Sequence, residues 1–510
     1  MSWDVPERFN FARDVVEQQR GPALTFVGSG GSRRRLSFED LAVRTAQWAG
    51  VVRRSGVEAG DRVLVLVGKT LDWHPIMLAL LKTGAVGIPC SEMLRARDLS
   101  FRARHAGAKL LICDPGGRDE IGAIENPPPI VYTDEADLTE EDWATADTAA
   151  GDPAFILYTS GTTKDPKGVV HTHGYTFAKR VQAEHWLDAG PEDLVWCTAG
   201  TGWAKSIWNV LLGPWSRSSE IVLHEGGFDP AERFELIADL GVTVLCQAPT
   251  EYRLMAKLEA LGGYELSGLR HAVSAGEPLN PEVIKTFRDT FGLTIHDGYG
   301  QTENTLLVGN FPGTEIKPGS MGLPSPGHRI GVVDAEGSEL PAGEEGDIAL
   351  HGRPPSLFAC YYEAPEETAA VFRGDWYVTG DRAVRDEDGY LWFTGRADDV
   401  ILSAAYRIGP FEVESALLEH ASVAESAVVG KPHPERGQIV KAFVVLRSGH
   451  TGSDGLAHEL QEHCKRVTAP YKYPREIEFV DTLPKTRSGK IRRVDLRKLE
   501  EERASTGQAG

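Results

Sequence analysis

Positive charge is scarce in this sequence, and so are cysteines and long apolar runs. Lys and Arg number 54 against 74 Asp and Glu, a net charge of −20. A mean field of that sign repels polyanions, which argues against non-specific nucleic-acid binding and adsorption to anionic membranes. No stretch of 18 apolar residues occurs, and the opening MSWDVPERFNFARDVVEQQRG holds no apolar secretion core. No membrane span or secretion is therefore expected, and a cytoplasmic location is. Only six cysteines are scattered along the 510 residues (Cys90, Cys113, Cys197, Cys246, Cys360 and Cys464), none in a C-x-x-C pair. That usage fits buried thiols in a reducing compartment and not a disulfide framework.

Three common site motifs are missing as well. A phosphate-binding loop counted from Gly161 needs glycine at 166, where Pro166 stands. The dinucleotide fingerprint begun by Gly28 and Gly30 meets Arg33 in place of its last glycine. No G-x-S-x-G nucleophile elbow is present. His171 and His173 form an H-x-H pair without a third ligand in spacing and read as core or loop histidines.

What is present is a chain too long for one ordinary core, so two or more domains are expected. Short apolar runs at 62–68, 108–114, 154–159, 220–224 and 242–249 read as buried strands. Between them lie helices with legible ends. One has Asp229 as N-cap, Pro230 in the first turn, Glu232 completing a capping box and Gly241 as stop; another repeats this with Asn280, Pro281 and Gly292. The alternation predicts an α/β fold with parallel sheets flanked by helices. Ligands of such sheets sit at the carboxyl ends of strands. After one of these strands comes YTSGTTKDPKG (158–168), a loop of hydroxyls, glycines and lysines suited to cradle phosphate oxygens.

That loop resembles the phosphate loop of the adenylate-forming superfamily, which comprises acyl-CoA synthetases, peptide-synthetase adenylation domains and luciferases. SAGEP (274–278), DGYGQTEN (297–304), YVTGD (377–381), GRADD (395–399), YRIGPFEVE (406–414) and PKTRSGK (484–490) resemble that family's other motifs, in the same order over nearly the whole chain. DTFGLTIHDGYGQTE and VTAPYKYPREIEFV are most similar to the medium-chain branch of the acyl-CoA synthetases. The resemblance implies a large domain, 1–397, and a small mobile α+β domain, 398–510. It implies an acid–CoA ligase: a carboxylate attacks the α-phosphorus of ATP, and coenzyme A then displaces AMP. The acid, ATP, coenzyme A and Mg²⁺ are the ligands implied, with no nucleic acid; a homo-oligomer is left open. The runner-up is an acyl-adenylate ligase loading a carrier protein, and a third reading is a non-catalytic nucleotide-binding protein.

Residue by residue, the resemblance assigns the β- and γ-phosphates to Thr159, Ser160, Gly161, Thr162, Thr163 and Lys167. Thr302 would contact the α-phosphate, and Glu303 would ligate Mg²⁺. Gly276, Glu277 and Pro278, with Asp297, Gly298, Tyr299, Gly300 and Gln301, would wall the adenine and α-phosphate. Asp381 would accept the ribose hydroxyls, Arg396 would support the ribose, and Arg407 would reach the phosphates. Lys490, preferred over Lys485, would bridge the carboxylate and the α-phosphate, and Asp398 would be the hinge.

Two positions depart from the pattern: Lys164 stands where the phosphate loop has glycine, and Ala405 replaces a glycine that lines the pantetheine tunnel in relatives. Acetyl-CoA synthetases carry tryptophan where this chain has Gly300. The acyl pocket is therefore expected to be open, with Trp203 as a wall and a medium-chain or aromatic acid as occupant. Replacing the cation, Lys490→Ala, is expected to slow adenylate formation about a hundredfold or more. Thioester formation from preformed acyl-adenylate should change far less, as single-turnover kinetics of each half-reaction would read.

Overall fold

The computed structural model describes residues 3–139, 143–159, 166–396, 399, 401–403, 406–433, 436–468, 470–485 and 491–505. Among these residues the strands form four sheets. All five apolar runs are strands, with ends shifted by up to two residues: Arg62–Leu66, Leu110–Cys113, Pro153–Thr159, Glu220–His224 and Val244–Gln247. They are apolar without alternation because helices cover both faces.

One sheet has a parallel centre of Val86–Pro89, Arg62–Leu66 and Leu110–Cys113. Pro153–Thr159 joins it in parallel, and Lys167–Thr172 returns antiparallel as the second strand of a hairpin, with Thr159 opposite Lys167. A second sheet is parallel through six strands, ending with Val244–Gln247, His271–Ala275 and Ile295–Gly300. Helices Phe38–Arg54, Trp73–Thr83 and His173–His185 contribute to one core with strands of both sheets, including Trp48, Trp73, Phe155, Trp186 and Trp215. A third, antiparallel sheet brings in Glu345–His351, Trp376–Arg385 and Leu391–Arg396.

The fourth sheet is built from Ile401–Ser403, Tyr406–Ile408, Val423–His433, Gly437–Leu446 and Glu476–Phe479. Helices Pro410–Leu418 and Asp454–Val467 pack on it. We place the domain division between residues 397 and 398, both outside the described residues, because no sheet draws strands from both sides of it. No described helix is long and apolar enough to cross a membrane. Five of the six cysteines are buried and Cys360 is half-buried, all as free thiols.

The helix ends obey the expected chemistry with two differences. Asp229 caps Pro230–Leu240 by accepting from the N–H groups of Ala231 and Glu232, and Gly241 stops it in the left-handed conformation. Glu232, however, closes no capping box; its carboxylate lies 4.0 Å from His224 Nε2. Gly292 ends Pro281–Phe291 as expected, but the Asn280 side chain makes no cap bond. Its amide accepts from Arg253 Nη1 at 3.3 Å and donates to Ser415 Oγ at 3.4 Å, tying this helix end to Pro410–Leu418. A long-range pairing has overridden the local one.

A second tie is Lys257 Nζ donating to Ala424 O at 3.2 Å. A third is steric: a Cβ on Gly409 would fall inside the contact radius of Thr394 O, on the strand Leu391–Arg396. The two sides of the division approach here without room for one methyl. Gly409→Ala is expected to destabilise the protein by about 1–3 kcal/mol, as overpacking does. Gly263→Ala, where a methyl would meet open space, is expected to shift stability by no more than about 0.5 kcal/mol. Urea midpoints of the two variants check this.

Candidate active site

Strands His271–Ala275 and Ile295–Gly300 end side by side, with Ala275 opposite Gly298. The two loops that follow, Gly276–Pro278 and Gln301–Asn304, therefore share one edge. Gly276 has φ +114°, in the region that side chains disfavour, and a Cβ there would meet no neighbour. That leaves an open backbone face beside Tyr299.

Onto this edge the third sheet brings Asp381. Gly380, at φ +76°, turns the strand, and Asp381 pairs in register with Arg396. The Asp381 carboxylate accepts from Tyr299 Oη at 2.6 Å and from Gln301 Nε2 at 2.7 Å through the same oxygen, Oδ2. Gln301 is itself held: its amide nitrogen donates to Thr379 O at 2.9 Å, and its carbonyl accepts from Tyr377 Oη at 3.0 Å. Burial first, then the Asp381 charge, push the Tyr299 hydroxyl well above its ordinary value, so it is a committed donor. Two motifs far apart in sequence thus converge on one carboxylate.

A second group forms where the hairpin meets the Gln301–Asn304 loop. Thr159 and Lys167 face each other across the hairpin. Lys167 Nζ is 2.6 Å from the Glu367 carboxylate and 5.0 Å from the ring centre of Tyr361. Tyr361 Oη donates to Glu303 Oε1 at 2.8 Å. Burial raises the Glu303 carboxyl above its ordinary value, opposed by the Tyr361 hydrogen bond and the Lys167 charge. The carboxylate is thus short of positive charge, with a cationic chain at hand.

The loop carrying Thr302 and Glu303 is buttressed from behind. His171 Nε2 lies 2.8 Å from Thr302 O, and Tyr175 Oη donates to Asn304 O at 3.0 Å. Burial pushes the His171 imidazole down to about 3, so the ring is neutral and Nε2 carries the donated proton. It stacks on Tyr175 with ring centres 3.8 Å apart. His171 is the core histidine expected from the sequence, and it also holds the Thr302 backbone in place.

The SAGEP loop is held by charge. Glu277 accepts from Arg253 Nη2 at 2.8 Å, and the same guanidinium reaches Thr250 Oγ1 at 2.8 Å. Asp297, expected in the wall, is buried and accepts from the Leu279 N–H at 3.1 Å and its neighbour Gly298 N–H at 3.1 Å. Burial raises its carboxyl to about 7, with those two bonds pulling the other way. Gly298 leaves no room for a side chain against Leu306 and Trp186. Lys205 Nζ bridges Gln247 O at 3.0 Å and Ala275 O at 3.1 Å, clamping the ends of two parallel strands.

Of the two expected acyl-pocket residues, Trp203 is 39% exposed, uncommon for an indole. Gly300 has a reason beyond an empty pocket. A Cβ there would collide with Thr305 O, because the strand Ile295–Gly300 slips register against Leu306–Gly309 at this point. No side chain fits at 300 unless the Thr305 backbone moves. Ser160, Gly161, Thr162, Thr163, Lys164, Asp398, Ala405 and Lys490 lie outside the described residues, as does the Arg407 side chain. Tyr361 and Arg253 lie outside every motif named above, Tyr377 opens YVTGD without an assigned role, and His171 read as a core or loop histidine.

Residues 11–362 match the family model described as AMP-binding enzyme, and 412–490 match the AMP-binding enzyme C-terminal domain. The uncharacterized acyl–CoA ligase YtcI of Bacillus subtilis (strain 168) is 47% identical over 94% of this chain and 93% of its own length. Mitochondrial acyl-coenzyme A synthetase ACSM3 of Mus musculus is 41% identical over 98% and 91%. The crystal structure of the anthranilate CoA ligase AuaEII with anthranoyl-AMP superposes with a TM-score of 0.92 at 30% identity, covering 99% of this chain and 100% of that one.

The raised Asp297 carboxyl has a consequence for stability. Its ordinary value is 3.8 and its folded value about 7. The folded state therefore binds more protons between these values, and stability falls as pH rises from about 4 to about 7. Asn at 297 keeps one acceptor and cannot ionise. Urea midpoints at pH 5 and pH 7.5 should differ less for Asp297→Asn than for the unaltered protein.

Proposed function

The chain belongs to the AMP-binding enzyme family and is an AMP-forming acid–CoA ligase, and we propose that its acid is a medium-chain or aromatic one, activated by the residues assembled above. One observation carries the assignment of roles: the Asp381 carboxylate, aimed by Tyr299 and Gln301, stands on the same edge as the Glu303–Tyr361–Lys167 group. A diol acceptor and a phosphate end on one edge are what a nucleoside triphosphate requires.

In this reading Thr159 to Thr163 and Lys167 hold the β- and γ-phosphates, with Lys167 leaving Glu367 for the stronger anion. Glu303 fits a Mg²⁺ ligand, since burial has left its carboxylate short of positive charge. When bound, Mg²⁺ supplies charge neutralisation at the phosphates, in the style of one carboxylate with phosphate oxygens and water. Thr302, fixed through its carbonyl by His171, lies beside the α-phosphate, and Asp381 accepts the ribose hydroxyls. Glu277 is fixed by Arg253 and, with Gly276, Pro278 and Tyr299, flanks the adenine.

The acid carboxylate oxygen forms a bond to the α-phosphorus as the bond to pyrophosphate breaks. Lys490 neutralises charge where the two anions meet. In the second step the coenzyme A sulfur bonds to the acyl carbon, AMP leaves, and the thiol proton passes to solvent. Asp398 is the hinge on which the small domain turns between steps. The aromatic acid is supported by the likeness to the anthranilate CoA ligase AuaEII, and the medium-chain acid by the motif resemblance given above. Six free cysteines support a reducing compartment, the cytoplasm in our reading.

The test is a panel of aliphatic and aromatic acids with ATP and Mg²⁺, reading pyrophosphate exchange and then thioester after coenzyme A. Exchange and thioester with acids of six to ten carbons or with benzoates are expected. Exchange without thioester would rule out coenzyme A as acceptor. Asp381→Asn should raise the KM for ATP about tenfold to a hundredfold through lost charge-assisted hydrogen bonds, while the KM for the acid stays nearly unchanged.

A further inference from the structure

Helix His173–His185 turns one side to the Thr302–Thr305 loop and to the π-helical turn Ile207–Leu212. Tyr175 reaches Asn304 O, and Gln182 bonds both Asn209 and Thr305. Between these contacts, one turn beyond Tyr175, lies Lys179. It is 1% exposed, and its Nζ has no hydrogen-bond partner among the described residues. The Nζ lies 4.3 Å from the ring centre of Tyr175 and 4.4 Å from that of Trp208.

A buried ammonium with no anion is unfavourable, and two aromatic faces offset only part of the cost. Burial alone depresses its pKa, well below the ordinary value. The titratable rings that feel its charge, His171 and His328, are both held neutral by burial, and a histidine is never the anion that an ammonium lacks. Methionine would fill the same space without that cost. Its N–H groups lie between ring surfaces that offer no oxygen.

The position explains what the donors are for. Trp208 follows Trp203 in the same segment, and Thr305 O is packed against Gly300. Trp203 and Gly300 are the two acyl-pocket residues of the proposed function, and the Lys179 helix touches the segment of each: Lys179 lies against Trp208, and Gln182 bonds Thr305. π-helical turns concentrate at functional sites, and this one carries Trp208. We propose that Lys179 anchors an oxygen acceptor (carboxylate, carbonyl or hydroxyl) on the tail of the acid substrate, opposite the carboxyl that is activated. This rests on the acid–CoA ligase reading and narrows its substrate: the acid carries oxygen at both ends. No covalent step is involved; the tail oxygen takes up the hydrogen bonds that Lys179 lacks.

The experiment compares matched acids on the full-length enzyme: octanoate with 7-oxooctanoate and octanedioate, hexanoate with 5-oxohexanoate and hexanedioate, and benzoate with 4-hydroxybenzoate. Thioester formation is measured for the unaltered protein and for Lys179→Met. At least one tail-oxygen acid should exceed its plain parent in kcat/KM by about tenfold or more, as expected when a site is built to bond a substrate oxygen. Lys179→Met should lose about tenfold to a hundredfold on that acid while its rate on the parent holds or rises. Parents preferred throughout, or one common factor across all acids in the variant, would overturn the anchor while leaving the ligase intact. No thioester from any acid would instead overturn the ligase reading and the anchor with it. Should Lys179→Met not fold, the preference of the unaltered protein decides.

Discussion

Two negative reactants must be brought into contact inside a chain that is itself strongly negative. Everything at the candidate site follows from that electrostatic constraint. Cations cannot be left to the mean field, so each must be placed where charge develops, and Lys167 beside Glu303 and Tyr361 is the described example. Carboxylates must be placed as carefully, because each adds to the repulsion. Asp381 is acceptable there only because Tyr299 and Gln301 donate to it and fix the direction in which it can accept.

Rigidity comes from groups that carry no charge of their own. His171 is kept neutral by burial and spends its one proton on the Thr302 carbonyl. Tyr175 does the same for Asn304. A loop held through its backbone keeps its side chains available for ligand, which is how preorganised sites are supported. Arg253 is the charged member of this set, holding Glu277 from a helix that gives no outward sign of a role.

Close approach is the other device. At Gly300 the backbone lies against Thr305 O, and at Gly409 against Thr394 O; in each place a methyl group would separate two elements that must touch. The first fixes the edge of the proposed acyl pocket. The second fixes how the small sheet meets the large one, at the position from which the proposed hinge departs. Asn280 gives up its helix cap to bond Arg253 and Ser415, so the same contact also overrides a local preference.

Local chemistry was enough to read the strands, the Asp229 cap, the Gly241 and Gly292 stops, and the motifs that carry Asp381, Glu303 and Lys167. Those features depend on residues close in the chain, or on patterns recorded in its order, although Asp381 and Lys167 lie within strands and only Glu303 lies on a loop after one. Tertiary structure alone decided that Tyr361, 58 residues beyond Glu303, would be its donor. It decided likewise that Asp297 would be buried and that a lysine in FAKRVQAEH would be buried between two rings. The physical reason is that burial, and with it the strength of every charge and hydrogen bond, depends on which distant surfaces meet, and spacing along one chain does not contain that information.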